Sequence, residues 1–495
     1  MSDNYIVVDL GASNGRVIVA DVTDGKISFD VVHRFDNVPV FSNEEEFCWD
    51  ILRIYSDIKD GIRIAVNKYP DVRSIGIDTM GCDFGFIDDQ GRLIGNPIYF
   101  RDQRQHLLAD EMHEILSEEE LFALSQGPCN RIMGIYKLYQ LKKYKRFEYE
   151  HGAHLLMMPD LLNYLLTGKI SNEFTNATMT LLVNQKERCW EEKICDILGF
   201  RKDIFTKLSE PGTVLGPVKE SVCRELGIPP IRVVIPATHD TASAVAGIPV
   251  TSQDKKWGFV SLGTWALSGM ELDEPLTNPE VVAFEFGNEG GVFGKSMLLK
   301  NINGLWVIQQ CRKYWQYELG RDVSWGEICE AAMAAPDHDC VFNCDDLEFT
   351  ASQQDMPRTI RDFMEKSGQY VPQTMGEVAR CVFKSLACRI DYSFGKVLDT
   401  LDEKMDILHI LGGGTQNHLL CQWISNAMGI PVVAGPVETT AVGNLLFQLI
   451  ADGKISTLEE GRAMCAASSE LVHYEPQDQD YWVKTKKYYR EALHI

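Results

Sequence analysis

The chain has 495 residues, with 71 acidic and 48 basic side chains and a formal net charge of −23 at pH 7. Hydrophobic residues make up 45% of it and charged residues 24%, which excludes a disordered tail and predicts a soluble globular protein of several domains. Because nucleic acids and anionic membranes both attract basic patches, the acidic excess predicts that neither is a partner.

The chain opens with alternating apolar and polar residues, the pattern of a β-meander. This pattern predicts three antiparallel strands over residues 5–10, 16–22 and 26–34. Turns are expected at residues 11–15 and 23–25, where glycines occur. The protein is therefore expected to begin with a three-stranded antiparallel sheet.

A helix and two more strands are predicted after this sheet. Residues 51–68 have apolar side chains at helical spacing, residues 74–78 form a short β-branched run, and residues 84–88 precede a turn. Residues 107–226 follow a mostly helical pattern, in which Pro159 is expected at the first position of a helix. The first half thus combines helices and strands.

The centre of the chain contains a predicted domain boundary. A strand over residues 233–236 is followed by a run of small residues, 242–246, that is expected to begin a helix. The polar stretch 251–256 then follows a turn, and we interpret it as the boundary. It divides the chain into an N-terminal domain, residues 1–246, and a C-terminal domain, residues 257–495.

The second half begins like the first. Strands are predicted over residues 257–262 and 266–272, and the turn Gly263-Thr264 lies between them. A repeat at roughly 250 residues indicates two related domains, since solenoid repeats are far shorter. The sequence therefore predicts an α/β fold of two related domains with a ligand cleft between them.

The first candidate site is the hairpin that begins at Asp9. Gly11 and Gly15 bracket the hairpin, so its backbone amides can approach a phosphate group closely. Asp9, at the end of the strand, can hold Mg²⁺ through water, and Arg16 can neutralise phosphate charge. The alternative is an ordinary tight hairpin with a surface arginine.

Two further glycine turns are candidate nucleotide sites. Gly263-Thr264-Trp265 repeats the hairpin geometry and offers an amide and a hydroxyl, although a structural turn has the same pattern. Three glycines at residues 412–414 stand between a strand at 408–411 and a helix at 419–428. A ligand can lie against such bare backbone, and a purely structural loop is the alternative.

The fourth candidate is the segment Thr238-His239-Asp240-Thr241. A carboxylate at a strand–helix junction can act as general base for an alcohol that attacks phosphorus. The alternative is that Asp240 or Thr241 caps the helix.

The chain has no membrane-length apolar run and no secretory signal pattern, and its fourteen cysteines form no short regular framework, so a cytoplasmic location is expected.

Together these segments resemble the FGGY carbohydrate kinases, and within them the rhamnulokinase group, along nearly the whole chain. The segments that carry the resemblance are 9–16, 74–79, 173–180, 239–245, 288–291, 299–306, 412–417 and 434–438. The resemblance implies a two-domain actin-like, hexokinase-like ATPase fold built on ribonuclease H-like repeats. Sugar and ATP would meet in the cleft between the domains.

The resemblance also implies roles for single residues. It implies that Asp240 is the catalytic base and that the sugar contacts are Gly81, His239, Asp240, Thr241 and Asn301. The implied ATP contacts are Ala12, Ser13, Asn14, Gly15, Arg16, Thr264, Gln309 and Gly413, and Asp9 is expected near Mg²⁺. Met80 and Cys82 depart from the Trp and Val expected beside the sugar in that group.

The resulting prediction is ATP-dependent phosphorylation of the 1-hydroxyl of a 6-deoxy-ketohexose in deoxysugar catabolism, with L-rhamnulose first and L-fuculose second. Residues 1–246 would bind the sugar and residues 257–495 would bind ATP. One alternative is a different acceptor, such as glycerol or a pentulose. Another is a non-catalytic actin-like ATPase whose nucleotide switches an interaction surface. Nothing in the sequence indicates an oligomeric state.

Overall fold

The computed structural model describes residues 3–42, 46–250, 256–278, 284–352 and 354–495. The strands of this part are β1 (Asp3–Leu10), β2 (Asn14–Thr23), β3 (Lys26–Asp36), β4 (Val40–Phe41), β5 (Phe47–Cys48), β6 (Val72–Thr79), β7 (Phe84–Ile87), β8 (Leu93–Ile94), β9 (His154–Met157), β10 (Asn172–Glu173), β11 (Val183–Asn184), β12 (Cys189–Trp190), β13 (Leu208–Ser209), β14 (Val214–Pro217), β15 (Arg232–Val234), β16 (Trp257–Leu262), β17 (Trp265–Leu272), β18 (Gly287–Gly290), β19 (Ser296–Asn303), β20 (Ile407–Leu411), β21 (Val432–Ala434) and β22 (Val472–Tyr474).

Helices surround these strands. They are α1 (Ile51–Lys68), α2 (Gln103–His113), α3 (Glu118–Ser125), α4 (Gly134–Lys143), α5 (Phe147–His151), α6 (Met158–Thr167), α7 (Phe174–Ala177), α8 (Glu192–Leu198), α9 (Glu220–Leu226), α10 (Asp240–Ala246), α11 (Trp306–Leu319), α12 (Trp325–Ala334), α13 (Leu347–Thr350), α14 (Met356–Lys366), α15 (Met375–Leu401), α16 (His418–Met428), α17 (Thr439–Ala451), α18 (Leu458–Ser468) and α19 (Gln479–Leu493). Short 3-10 turns occupy Thr178–Thr180 and Gly413–Gln416. Among the described residues, no helix has the length and apolar character needed to cross a membrane.

The two main sheets share one plan. In the first, the strands lie in the order β14-β15-β6-β1-β2-β3, and β1 pairs antiparallel with β2 and parallel with β6. In the second, the order is β18-β19-β17-β16-β20-β21-β22, and β16 pairs antiparallel with β17 and parallel with β20. The internal repeat predicted from the two strand–turn–strand patterns is thus confirmed.

A lobe is inserted in the chain after β6. It contains the small sheet β8-β7-β9 and helices α2 to α5, and it has its own buried apolar cluster. At its base Lys137 and Asp83 form an ion pair in which neither side chain is exposed. The Trp49 indole also donates to Asp83, with Nε1 2.5 Å from Oδ2. The prediction that residues 107–226 are mostly helical missed the short strands β9 to β14.

The two domains meet through a pair of buried helices. Helix α10 packs against α17, and apolar side chains from both sheets complete this interface. The contact is so close that a Cβ on Gly443 of α17 would lie 1.8 Å from the backbone oxygen of Ser243. Because backbone cannot give way as a flexible side chain can, only glycine allows the helices to approach this closely.

Most predicted elements are confirmed, with small shifts at their ends. The helix over 51–68 and the strand over 257–262 have the predicted bounds, as Ile51–Lys68 and Trp257–Leu262. The predicted turn at 11–15 is too long, because β2 already begins at Asn14, which pairs with Asp36 of β3. Most of the boundary predicted at 251–256 lies outside the described residues.

Candidate active site

Three carboxylates converge at one end of the first sheet. Asp9 and Asp78 are the second-last residues of the parallel neighbours β1 and β6, whose register places them side by side. Asp240 begins α10, and the preceding turn is tied to β6 by a hydrogen bond of 2.8 Å from the Thr79 N–H to the Thr238 carbonyl. The carboxyl ends of parallel strands are where open α/β sheets bind ligands, so the topology itself places this acidic cluster in a binding position.

Burial raises the pKa values of all three carboxylates. It raises the pKa of Asp240 to about 7, with a further contribution from the charge of Asp9. The pKa of Asp78 lies well above its ordinary value for the same two reasons. Burial also raises the pKa of Asp9, although the Arg16 guanidinium opposes that rise. With its pKa at about 7, Asp240 can accept a proton near neutral pH.

Asp240 does not cap the helix. It is the first helical residue, and the capping position belongs to His239, whose side chain makes no capping hydrogen bond. The Asp240 side chain instead accepts from the N–H of Thr241, with a distance of 2.6 Å to Oδ1. Since this bond engages one oxygen, it orients the carboxylate without removing its capacity to accept a proton. The interpretation of Asp240 as a helix cap is therefore wrong.

The buried side chain of Glu173 holds the turn before Asp240 in place through hydrogen bonds. Oε2 of Glu173 accepts from the backbone N–H of Thr238 at 3.0 Å and from its hydroxyl at 2.7 Å. The N–H of His239 donates to the hydroxyl of Thr175 at 3.2 Å. Burial raises the pKa of Glu173 to about 7. No role was predicted for Glu173, because only the folded chain places it beside a turn 65 residues away.

All five predicted sugar contacts line one cavity of about 610 Å³. They are Gly81, His239, Asp240, Thr241 and Asn301. Apolar and sulfur-containing side chains form much of the remaining wall, namely Met80, Cys82, Phe100, Ile132, Met133, Met179, Leu267, Phe286 and Leu299. Glu289, from the C-terminal sheet, also lines the cavity and was not predicted to act there. The cavity lining therefore combines these polar groups with many apolar side chains.

The loop at Gly81 packs closely against Met179, which also lines the cavity. A Cβ on Gly81 would lie 2.7 Å from Cγ of Met179. The next residue, Cys82, has a φ of +76°, a conformation that costs energy for a residue with a side chain. Both residues are thus constrained at the wall where the sequence departs from the expected Trp and Val.

The hairpin at Asp9 adjoins the acidic cluster on the other side. Arg16 pairs with Asp9 and also with Glu438, whose Oε2 lies 2.7 Å from Nη1. Glu438 immediately precedes α17 of the C-terminal domain, so this arginine joins the two domains. The other predicted ATP contacts of the hairpin are Ala12, Ser13, Asn14 and Gly15. Of these, Gly15 is required for packing, since a Cβ there would lie 2.2 Å from the Phe35 ring.

The second glycine hairpin brings two predicted ATP contacts together. The Thr264 hydroxyl donates to the side-chain oxygen of Gln309 at 3.2 Å. The three glycines at 412–414 follow β20, the parallel neighbour of β16 in whose hairpin Thr264 lies. A Cβ on Gly414 would lie 2.3 Å from Leu262, whereas a Cβ on Gly413 would meet no atom within 4 Å. Gly413 therefore faces open space.

Comparison with known proteins decides which family has this architecture. The sequence model for the N-terminal domain of the FGGY family of carbohydrate kinases matches residues 4–247, and the model for its C-terminal domain matches residues 258–451. The chain belongs to the FGGY family of carbohydrate kinases. A rhamnulokinase of Bacteroides thetaiotaomicron is 35% identical to this FGGY kinase, over 97% of this chain and 98% of its own. One of Oceanobacillus iheyensis is also 35% identical, over 96% and 98%.

Solved structures agree on the fold of this FGGY kinase. Ligand-bound xylulose kinase from Lactobacillus acidophilus superposes with a TM-score of 0.82 at 17% identity, covering 100% of this chain and 99% of its own. Plasmodium falciparum glycerol kinase with ADP gives a TM-score of 0.79 at 15% identity, covering 99% and 97%. The predicted two-domain actin-like, hexokinase-like fold is thus confirmed. Family membership makes the chain a sugar kinase and implies ATP as a substrate.

The acidic cluster of this FGGY kinase suits a hydrated Mg²⁺ ion. No group of three or more acidic, histidine or cysteine side chains within the described ranges forms a complete metal cage. Mg²⁺ needs none, since it is usually held by one or two carboxylates together with water and substrate phosphates. Asp9 and Asp78 offer such a pair, and no described group hydrogen-bonds to the buried Oδ1 of Asp78. The residues present therefore fit the ion.

Replacing Gly413 with Val is expected to raise the KM for ATP at least about tenfold and to leave sugar binding intact. A Cβ at this position would meet no protein atom within 4 Å, so a larger side chain is expected to interfere mainly with a ligand that lies against the backbone. Steady-state kinetics with ATP varied, together with calorimetric binding of the sugar alone, checks this result. The matched control is Gly395→Ala, since a Cβ there also meets nothing within 4 Å. An unchanged KM for ATP would make residues 412–414 a structural loop only.

Proposed function

We propose that this chain is an ATP-dependent kinase that phosphorylates the 1-hydroxyl of a 6-deoxy-ketohexose, with L-rhamnulose as the preferred acceptor. One observation carries the proposal: Asp240, with a pKa of about 7, lies in the same cavity as the other four predicted sugar contacts. Curated relatives with 32–35% identity over nearly the whole chain are rhamnulokinases, which supports the choice of sugar. L-fuculose is the second candidate.

In the proposed reaction Asp240 accepts the proton of the sugar 1-hydroxyl as that oxygen attacks the γ-phosphorus of ATP. The raised pKa makes Asp240 a stronger base than an ordinary aspartate, and the Thr241 N–H keeps its carboxylate oriented. The proton moves to Asp240 while the bond between the γ-phosphorus and the oxygen linking it to the β-phosphate breaks. ADP leaves with the electrons of that bond.

The two glycine hairpins would supply phosphate contacts in this scheme. Residues 1–246 would hold the sugar, and residues 257–495 would hold ATP through Thr264, Gln309 and Gly413. Mg²⁺ bound through Asp9, with Asp78 beside it, would neutralise charge on the phosphates. Arg16 now pairs with Asp9 and Glu438, so contact with a phosphate would replace at least one of these carboxylates.

The apolar wall of the cavity favours a deoxy sugar. A C6 methyl group can pack against methionine and cysteine side chains such as Met133 and Cys82. A 6-hydroxyl against the same wall would lose its hydrogen bonds to water without gaining others. Because Met80 stands where an indole is expected, the wall lacks that hydrogen-bond donor and adapts more easily in shape. We therefore expect both L-rhamnulose and L-fuculose to be accepted.

Coupled ADP release distinguishes this proposal from an ATPase switch. With ATP and Mg²⁺ present, addition of L-rhamnulose is expected to increase ADP formation strongly above the rate without sugar. A nucleotide switch would hydrolyse ATP at the same rate with and without the sugar. Equal rates over a full panel of ketoses and glycerol would overturn the assignment of a sugar kinase function.

The pH dependence of kcat/KM is expected to show one acidic limb centred near pH 7. Asp240 must be ionised to accept a proton, and its pKa is raised to about 7 by burial and by Asp9. The rate should therefore be constant above this value and fall about tenfold per pH unit below it. Stopped assays between pH 5 and pH 9 check this expectation. A rate that stays constant down to pH 5 would contradict it.

The net charge of −23 leads us to expect no binding to nucleic acid or to anionic membranes. The cytoplasmic location rests on the absence of a secretory pattern and the cysteine usage. Sugar and ATP are the partners that the proposal requires.

A further inference from the structure

Glu289 enters the sugar cavity from the C-terminal domain. It lies in β18, the edge strand of the second sheet. Its neighbours on both sides are hydrogen-bonded to the N-terminal domain. Asn288 donates to the carbonyl of Gln126 at 2.7 Å, and the N–H of Gly290 donates to the hydroxyl of Thr178 at 3.0 Å. The strand is thus fastened to both domains, and the position of Glu289 in the cavity is fixed.

The imidazole of His239 lies between two carboxylates. Its Nδ1 is 3.4 Å from Oε2 of Glu289, and its Nε2 is 3.4 Å from Oδ1 of Asp240. Only 6% of the histidine side chain and 13% of the Glu289 side chain are exposed. The side chains of Glu289, His239 and Asp240 therefore form a row. It begins in the C-terminal domain and ends at the candidate base in the N-terminal domain.

Two atoms of this row are buried without a hydrogen bond to any described group. They are Nδ1 of His239 and Oε2 of Glu289, and they face each other. Buried polar atoms in folded proteins nearly always have partners, since leaving them unpaired costs free energy. An ionised carboxylate can only accept, so a hydrogen bond between these two atoms would require the imidazole proton on Nδ1.

We propose that Glu289 is a positioning residue for phosphoryl transfer: it keeps the proton of neutral His239 on Nδ1, so that the lone pair of Nε2 faces Asp240. This inference rests on the proposed function, because it assigns a role within that reaction. When Asp240 has taken the proton of the sugar hydroxyl, its new O–H can donate to Nε2. The proton stays on Asp240, and His239 stabilises it there.

The opposite tautomer of His239 would make Asp240 a weaker base. With its proton on Nε2, His239 would donate to the Asp240 carboxylate and stabilise the charged form. Asp240 would then be a weaker base for the hydroxyl proton. Burial lowers the pKa of His239, which keeps the ring neutral and makes the choice between the two tautomers the relevant one. In this proposal Glu289, which lies in the C-terminal domain, determines which tautomer His239 adopts.

The test compares Glu289→Gln with wild type in activity and in the tautomer of His239. Glutamine keeps the shape but can also donate, so it no longer enforces a proton on Nδ1. We expect kcat to fall at least about tenfold, while the KM for ATP changes less than threefold. In long-range ¹H–¹⁵N spectra of histidine-labelled protein, His239 is expected to be Nδ1-protonated in wild type. It should lose that pattern in the variant.

Two further variants complete the test. Glu274→Gln is the matched control, since Glu274 also pairs across the domains, with Lys186 at 3.2 Å, but at the surface. It should leave kcat and the His239 spectrum unchanged. Glu289→Asp keeps a carboxylate and should retain the Nδ1-protonated pattern and a larger part of the activity than the glutamine variant does.

An unchanged His239 tautomer in Glu289→Gln would overturn the inference, as would a kcat within threefold of wild type. An equal fall in Glu274→Gln would also overturn it, because the effect would then belong to domain contact in general. Failure of the proposed function is distinguishable from all of these results. In that case wild type phosphorylates no ketose, while the spectra still report whether Glu289 sets the tautomer.

Discussion

The Asp240→Asn variant is expected to lose about 10² to 10⁴-fold in kcat, the usual contribution of a general base. Asparagine has nearly the same shape, and its side-chain oxygen can still accept from the Thr241 N–H, so the fold and the start of α10 should persist. It cannot take the hydroxyl proton. Coupled ADP release measures the loss, and calorimetric titration with ATP should give an unchanged Kd.

The control for this variant is Asp89→Asn, the same exchange at an exposed turn residue, which should keep full activity. A turnover of Asp240→Asn within about threefold of wild type would remove Asp240 from the role of base. Loss of the acidic limb of the pH profile along with the activity would tie that limb to Asp240 itself.

Replacing Lys137 with Met is expected to destabilise the inserted lobe by about 3–5 kcal/mol, the usual cost of leaving one partner of a buried ion pair without the other. Both side chains are fully buried, so no water can replace the lysine beside Asp83. Methionine fills a similar space, so the effect comes from charge more than from a cavity. Denaturant unfolding followed by tryptophan fluorescence checks this expectation, since the Trp49 indole donates to Asp83 and contributes to the signal.

The double variant Lys137→Met with Asp83→Asn separates charge from packing. Removal of both charges leaves no unpaired ion, so the double variant should be more stable than Lys137→Met alone. The asparagine that replaces Asp83 would still accept from the Trp49 indole through its side-chain oxygen. A double variant as unstable as the single one would show that the loss comes from packing and not from the uncompensated carboxylate.

The fold was predictable from local pattern because its central strands alternate or are uniformly apolar. The strands at 5–10 and 257–262 and the helix at 51–68 have periodicities that tertiary contacts do not override. The short strands between residues 154 and 217 were missed, since two- to four-residue strands are too brief to show a period. The predicted turn at 11–15 was too long. Asn14 and Gly15 are typical turn residues, but here they belong to β2 and pair with β3.

The site was only partly predictable. Glycine turns and the residues around Asp240 carry local signals, and the family resemblance supplied their roles. Glu173 and Glu289 lie in segments that carry the family resemblance, but their roles were not predicted, because these come from contacts with residues 65 and 50 positions away. A buried carboxylate cannot be told from a surface one by residue type. The pairing of Arg16 with Glu438 likewise joins residues 422 positions apart and could not be read from the hairpin.

The most direct measurement is kcat/KM for L-rhamnulose, L-fuculose, D-fructose and glycerol in one coupled assay, with the phosphate position of each product assigned by NMR. The account predicts phosphorylation at O1 of both deoxy sugars, with L-rhamnulose ahead and the two values within about 100-fold, the scale of one pocket contact. D-fructose and glycerol should be poorer acceptors. The apolar wall of Met133 and Cys82 leaves the 6-hydroxyl of D-fructose without a hydrogen-bond partner, and glycerol has no methyl group to pack against that wall. Turnover of D-fructose or glycerol that exceeds both deoxy sugars would contradict it.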